Sequence, residues 1–182
     1  MEKEETTKIE IKKFPDEIIF HIDNYNDIFS DFDPRPYNKK ALSDDFLFEA
    51  KKASLEKQEP IKLIFLVPVS ERKTQDEVII KRRLKEHFKK HSSLLEKEKK
   101  SKIKQGLFLF FLGIILMALA TFILSLKEKT FLFNFLIILL EPAGWFSFWE
   151  GLHILVFRIK EESADLKFYQ KMSKSEIIFD SY

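Results

Sequence analysis

The sequence predicts an α+β cytoplasmic domain, a small mixed sheet with helices, joined by a long helix to a two-helix transmembrane hairpin. Three observations lead there. Charged residues are 33% of the 182-residue chain and hydrophobic residues 45%, with 20 Phe, and the two kinds are segregated along it. Residues 106–126 carry no formal charge, and from Phe131 to Phe157 only Glu141 and Glu150 interrupt an apolar run. About 20 apolar residues are what a helix needs to cross the hydrocarbon layer. The remaining segments carry β-rich runs and helical periodicity. The chain thus divides into a cytoplasmic domain with a basic juxtamembrane helix (1–105), the hairpin (106–157) and a cytoplasmic tail of helix and returning strand (158–182).

Taken in order, Ile9, Ile11 and Phe14 alternate and predict a short strand over residues 8–14, and residues 18–22 predict a second. Residues 31–37 hold two prolines, which fix φ and push their predecessors toward extended backbone. Ser43 is placed to cap a helix whose first turn holds Asp44 and Asp45 and which continues to about Lys57. Residues 61–67 are a nearly continuous β-rich run, expected to be a central strand buried on both faces. A helix begins near Thr74 or Gln75, with Ile80, Leu84, Phe88, His91 and Leu95 as its apolar stripe. No Gly or Pro lies between Pro68 and Gly106, so this helix is expected to run on into the first span. After the second span, residues 161–172 read as helix and residues 176–180 as a strand returning to the sheet.

Charge sets the orientation. Residues 1–80 hold 13 Lys/Arg against 18 Asp/Glu, a net of −5, whereas residues 81–104 hold 11 against 3, a net of +8. Lys97, Lys99, Lys100, Lys102 and Lys104 precede the first span, and Arg158, Lys160, Lys167 and Lys171 follow the second. The loop between the spans has only Lys127 and Lys129. Basic residues favour the cytoplasmic side, so both termini are expected in the cytoplasm, joined by a tight external turn.

Whole classes of function drop out. With no cysteine there is no disulfide framework, thiolate metal site or cysteine nucleophile. Met1 to Glu10 lacks the apolar core of a secretory signal. No phosphate-binding glycine loop, dinucleotide fingerprint or nucleophile elbow occurs. His87 and His91 have helical metal-ligand spacing, but Lys89 and Lys90 repel a cation, so no metal site is expected. Neither enzymatic activity nor a cofactor is expected.

The candidate functional residues lie in the spans and the collar. Glu141 falls near the middle of the second span, followed by Pro142, with Asn134 seven residues earlier on the same helical face. Intramembrane acids are functional by default, here as a pore-lining stripe, and otherwise join helices through hydrogen bonds. Glu150 and His153, three apart, suit a gate or proton relay, or an interfacial pair reaching headgroups. Trp145 and Trp149 suit packing or interfacial anchoring. Ala143, Ser147 and Gly151 form a row spaced by four, and Gly106, Gly113 and Ala120 one spaced by seven. Such rows let backbones approach closely, and two of them point to self-association beyond the hairpin's own contact. Lys81, Arg82, Arg83, Lys85, Lys89 and Lys90 suit an anionic ligand, whether lipid headgroups or the phosphates of an oligonucleotide.

The stretch from Ile28 to Tyr37 resembles the proline elbow of a family of uncharacterised bacterial two-span membrane proteins. Gly144-Trp145 and Trp149 resemble that family's Gly-Trp pair and second Trp in span two, and Arg158 to Lys171 is loosely similar to its basic tail. The two-span layout, rather than any motif, also resembles the Hailong-type channel effector of anti-phage defence. That resemblance implies an oligomeric ion channel controlled by a nucleic-acid signal. The expected function is therefore an oligomeric inner-membrane effector, a gated ion channel controlled by a ligand or partner of its cytoplasmic domain. The alternative is a membrane-tethered adaptor whose cytoplasmic domain binds a protein. Expected partners are the lipid bilayer, further copies of the chain, and a nucleic-acid or oligonucleotide ligand or a cytoplasmic protein.

Overall fold

A computed structural model describes residues 16–126 and 130–182, which form three strands and four α-helices. In order these are β1 (Glu17–His21), α1 (Asp44–Ser54), β2 (Lys62–Val67), α2 (Thr74–Ser125), α3 (Phe131–His153), α4 (Ile159–Lys174) and β3 (Glu176–Ser181). A π-helical turn, Ile154–Arg158, joins α3 to α4. Two compact units result. One runs to Lys89 and closes with residues 170–182; the other is Lys90–Tyr169. The strand expected over residues 8–14 lies outside the described residues.

In the first unit the three strands form one sheet of order β1-β2-β3. Both pairings are parallel, which corrects the expected mixed sheet. The reason is connectivity: each link between neighbouring strands contains helix, so the chain returns to the same end of the sheet before the next strand starts. The returning strand expected near the C-terminus is β3, and the run at 61–67 supplies the central β2. Register aligns Phe20, Phe65 and Phe179 across the sheet. Their rings stack at 5.8 and 5.1 Å, and Phe46 of α1 meets Phe20 edge-on at 5.3 Å. Ile80, Leu84 and Phe88, one helical turn apart on α2, are fully buried.

Only that side of β2 is sealed. Leu63, Phe65 and Val67 are buried, while Ile64 and Leu66 on the opposite side are half-buried and Lys62 is exposed. The expectation of burial on both faces therefore fails, because the described helices supply cover for one face.

The proline-containing stretch is a closed loop. Its neck is the antiparallel bridge between Phe29 and Leu42, with Ser30 N–H donating to Ala41 O at 2.9 Å. The Asp33 carboxylate fills it, accepting from Arg35 Nη2 at 2.8 Å, Arg35 Nε at 2.9 Å and Ala41 N–H at 2.6 Å. The Arg35 guanidinium and the Ala41 amide hold that carboxyl well below the usual range. Ser43 occupies the cap position of α1, yet its side chain makes no capping bond.

In the second unit α2 and α3 form an antiparallel hairpin with glycines at the crossing. A methyl group on Gly113 would collide with the Phe148 amide and lie 2.7 Å from Gly144 O. One on Gly151 would collide with the Phe110 amide and lie 2.7 Å from Gly106 O. Beyond the hairpin, α4 returns along α2: Lys99 Nζ donates to Ser163 Oγ at 3.4 Å, and the His91 and Tyr169 rings stack at 5.2 Å. Phe168 and Leu166 are buried in this unit.

Candidate functional site

Two helices are long and apolar enough to cross a membrane, by length and composition. The second is apolar all round, so its few polar groups define its chemistry. Asn134 and Glu141 are both exposed. Seven residues on an α-helix return to nearly the same angle, so the two share a stripe. Glu141 lies ten residues into α3, about 15 Å at 1.5 Å per residue and half the thickness of a bilayer core of about 30 Å. Pro142 inside α3 has no N–H to give the carbonyl four residues earlier. The Ile138 carbonyl thus loses its helical donor between Asn134 and Glu141. Side-chain amide, backbone carbonyl and carboxylate follow one another along one side of the helix.

Trp145 continues that side one turn beyond Glu141. It is 62% exposed and stacks on Trp149, with the ring planes 12° apart and the centroids 6.2 Å apart. Glu150 does not join the stripe, because nine residues from Glu141 turn the helix by about half a revolution. It sits instead by His153, with Oε2 3.9 Å from Nδ1, and the His153 ring leans on Phe157 at 5.6 Å. The π turn begins at the next residue. The four expected pore or gating residues therefore form two separate pairs.

The small residues divide by role. Gly106, Gly113, Ala120 and Gly151 are buried in the second unit, whereas Ala143 and Ser147 are only half-buried. Gly144 takes the place at the crossing that the row of fours assigned to Ala143, with its Cα side against Met117 and Gly113 O. The signal was present in the sequence: Gly144 and Gly151 are spaced by seven, like Gly106 and Gly113. Because the glycines are occupied by the hairpin's own contact, they add no argument for self-association.

The basic residues are engaged unequally. Arg83 Nε donates to Lys40 O at 3.0 Å, and Lys81 Nζ lies 5.6 Å over the Phe179 ring. Arg82 is 3.9 Å from Glu86. Lys85, Lys89 and Lys90 are exposed. No cluster able to hold a metal ion occurs among the described residues.

A polar network in the first unit has no counterpart in the sequence reading. Glu77, in the first turn of α2, is 4% exposed. Its carboxylate accepts from Arg72 Nε at 2.9 Å, Arg72 Nη2 at 3.1 Å and the Tyr25 hydroxyl at 3.0 Å. Tyr25 Oη in turn accepts from Lys73 N–H, and Arg72 Nη2 also donates to Phe179 O of β3. Burial would raise the Glu77 carboxyl, but the Arg72 fork and the Tyr25 hydroxyl outweigh it and hold it below the usual range. Arg72 and Glu77, five apart at a helix start, were the available signal. Tyr25, far away in sequence, was not readable.

Against known proteins, the chain matches no family model, no curated sequence and no solved structure.

Proposed function

We propose that the chain is the subunit of an oligomeric inner-membrane ion channel whose opening is controlled by what its cytoplasmic domain binds. The observation that carries this reading is Glu141, exposed midway along α3. An acid at the centre of a span costs about 2.5–3.5 kcal/mol on insertion scales and is found facing a bundle interior or a watered cavity. A lone hairpin offers Glu141 neither. Copies of α3 arranged about an axis would supply both. Arg82, Lys85 and Lys89, which share one exposed side of α2 within the first unit, suit an anionic controlling ligand such as an oligonucleotide, as in an anti-phage effector. Binding there would weaken steeply with salt.

The test compares wild type, Glu141→Gln and Glu141→Leu for oligomer size in detergent and ion flux in liposomes. If Glu141 lines the path, Gln leaves the oligomer intact and changes conductance. Unchanged flux in the Gln variant, with the oligomer lost in the Leu variant, would leave Glu141 as a packing residue.

The membrane-tethered adaptor has an observation of its own. Phe32, next to the clamped Asp33, is 98% exposed, and an aromatic held out by a rigid loop is how protein interfaces obtain an anchor. In that case replacing both spans with an unrelated hairpin preserves function, whereas Phe32→Ala abolishes it.

A further inference from the structure

Resting on the channel reading above, we infer that the path selects cations, and that the selecting element is the stripe of Asn134, the Ile138 carbonyl and Glu141 on α3. Oxygen ligands of these kinds replace the hydration shell of hard cations, in carbonyl rings and in Asp or Glu rings alike. The stripe offers an amide oxygen, a carbonyl freed by Pro142 and a carboxylate within about two helical turns. One copy presents a single column; several copies about an axis turn it into rings, so the site is incomplete without them.

The charge inventory of the two spans has one sign, Lys127, Glu128 and Lys129 lying in the loop between them. Residues 106–126 carry no formal charge, and the charged groups in α3 are the acids Glu141 and Glu150, with His153 near its end. No Lys or Arg is available within either apolar run to line a path for anions. Lys104 and Arg158 are exposed at the hairpin's ends, where water and salt screen them over about 8 Å. Glu141 acts midway, where the low dielectric strengthens its field. The buried glycine crossing keeps the first span's small residues away from this role, leaving the stripe as the polar part of the outer surface of α3 around its midpoint, apart from the Glu150 and His153 pair at its end.

The chain has no cysteine, which allows a test on the whole protein in liposomes. Asn134→Cys is treated with a cationic and an anionic methanethiosulfonate reagent, each rate normalised to a free thiol. Asn134 is near the start of α3 and so is reachable from the external side whether or not a gate further in is closed. The same pair of rates is measured with Glu141→Gln added, and reversal potentials are read for wild type across a KCl gradient. The expected result is a cationic preference of about tenfold at Asn134→Cys, from a carboxylate about 10 Å away, falling toward one with Glu141→Gln. The reversal potential would then lie toward that of K⁺. Flux with anion selectivity, or a preference indifferent to Glu141→Gln, overturns the inference and leaves the channel standing. A thiol that neither reagent reaches, with no flux, overturns both. Reagent preference without flux would mean a watered stripe that conducts nothing, and overturns the channel reading together with selection along it.

Discussion

The first unit and the hairpin follow opposite packing rules. In the first, the large apolar side chains converge: Phe65, Phe88, Ile80, Leu84 and Leu63 are fully buried, and three Phe rings stack across one sheet face. In the second, the crossing of the two long helices is lined by glycine and alanine, while Phe108, Phe111, Ile115, Phe122, Ile138 and Phe146 are each more than half exposed. Burying Phe against water stabilises a core by about 1.5–3 kcal/mol per side chain. In lipid that drive is absent, and helices associate through close backbone contact. The difference teaches which solvent each region is built for. It also identifies which substitutions matter: large side chains in one unit, the missing side chains in the other.

The largest effect in the hairpin should come from Gly113→Val. The added atoms meet the Phe148 backbone and Gly144 O, neither of which can move as a flexible side chain would. Overpacking typically costs about 1–3 kcal/mol, and a collision with backbone falls at or beyond the upper end. Phe111→Ala, on the outer side of the same helix, should stay within about 0.5 kcal/mol. Thermal unfolding of the full chain in detergent compares them. Equal effects would mean that the glycine crossing is not what holds the hairpin.

Its counterpart in the first unit is Phe65→Ala, expected to cost about 3–5 kcal/mol as a large cavity in a sealed core. Ile64→Ser, one residue away on the half-buried face, should cost about 1 kcal/mol or less. Denaturant unfolding followed by amide exchange in β1–β3 separates the two. A cost for Ile64→Ser near that of Phe65→Ala would show that the second sheet face is covered as well as the first.

The difference between the regions also explains what could be read from sequence. The bounds of α2, the central place of β2 and the return of β3 were legible because period, length and composition act locally. The parallel direction of the sheet was not, since it depends on which end of the sheet each crossover returns to. The row at Ala143 and Ser147 was misassigned by one residue at Gly144, because a spacing of four drifts around an α-helix while a spacing of seven nearly holds its face. The π turn at Ile154–Arg158 leaves no trace in apolar periodicity: every residue from Ile154 to Phe157 is apolar, so a widened turn looks like a regular one. The Asn134 and Glu141 stripe was legible from spacing alone; its separation from Glu150 needed the angle between them.

Charge sharpens the comparison further. The first unit buries a carboxylate, Glu77, against the partly exposed Arg72, whereas the apolar runs of the hairpin contain no Lys or Arg. Arg72→Met should cost about 1.5–3 kcal/mol, since it strips two charge-assisted bonds from Glu77 and leaves that carboxylate buried. The partial exposure of the Arg72 side chain, 32%, sets the value toward the lower end. Replacing Arg72 and Glu77 together with Met and Leu should recover much of the loss, because both partners then leave at once. Chemical denaturation of the four variants gives the coupling. A double variant no better than Arg72→Met alone would mean that the pair is not acting as a pair.

The smallest effect, and the one that separates the regions most cleanly, is acid sensitivity. The Glu77 carboxyl is held below its ordinary value in the folded chain, by Arg72 and Tyr25 against the cost of burial. A group whose folded pKa is depressed stabilises the fold above its unfolded pKa, and that stability is lost as pH falls toward the folded value. For a glutamate the loss begins near its ordinary pKa of about 4.3, so the first unit should be flat from neutral pH down to about 5 and weaken below that. Asp33 is depressed in the same direction by Arg35 and the Ala41 amide and adds to the slope, opening the loop at the Phe29 and Leu42 neck. Tyr25 is shifted the other way, upward by burial, so it remains a protonated donor throughout this range and contributes no acid dependence of its own. The glycine crossing holds no titrating group, so residues 106–125 of α2 and the whole of α3 should keep their amide protection at pH 3.5, while β1–β3 and the start of α2 around Glu77 lose theirs. Hydrogen exchange in detergent at pH 7, 5 and 3.5 reads both regions in one sample. In Glu77→Gln the acid slope of the sheet should shrink, with stability at pH 7 already lower because a neutral amide gives Arg72 no counter-charge. Sheet and hairpin losing protection together in wild type would mean that acid acts on the whole chain rather than on these two carboxylates.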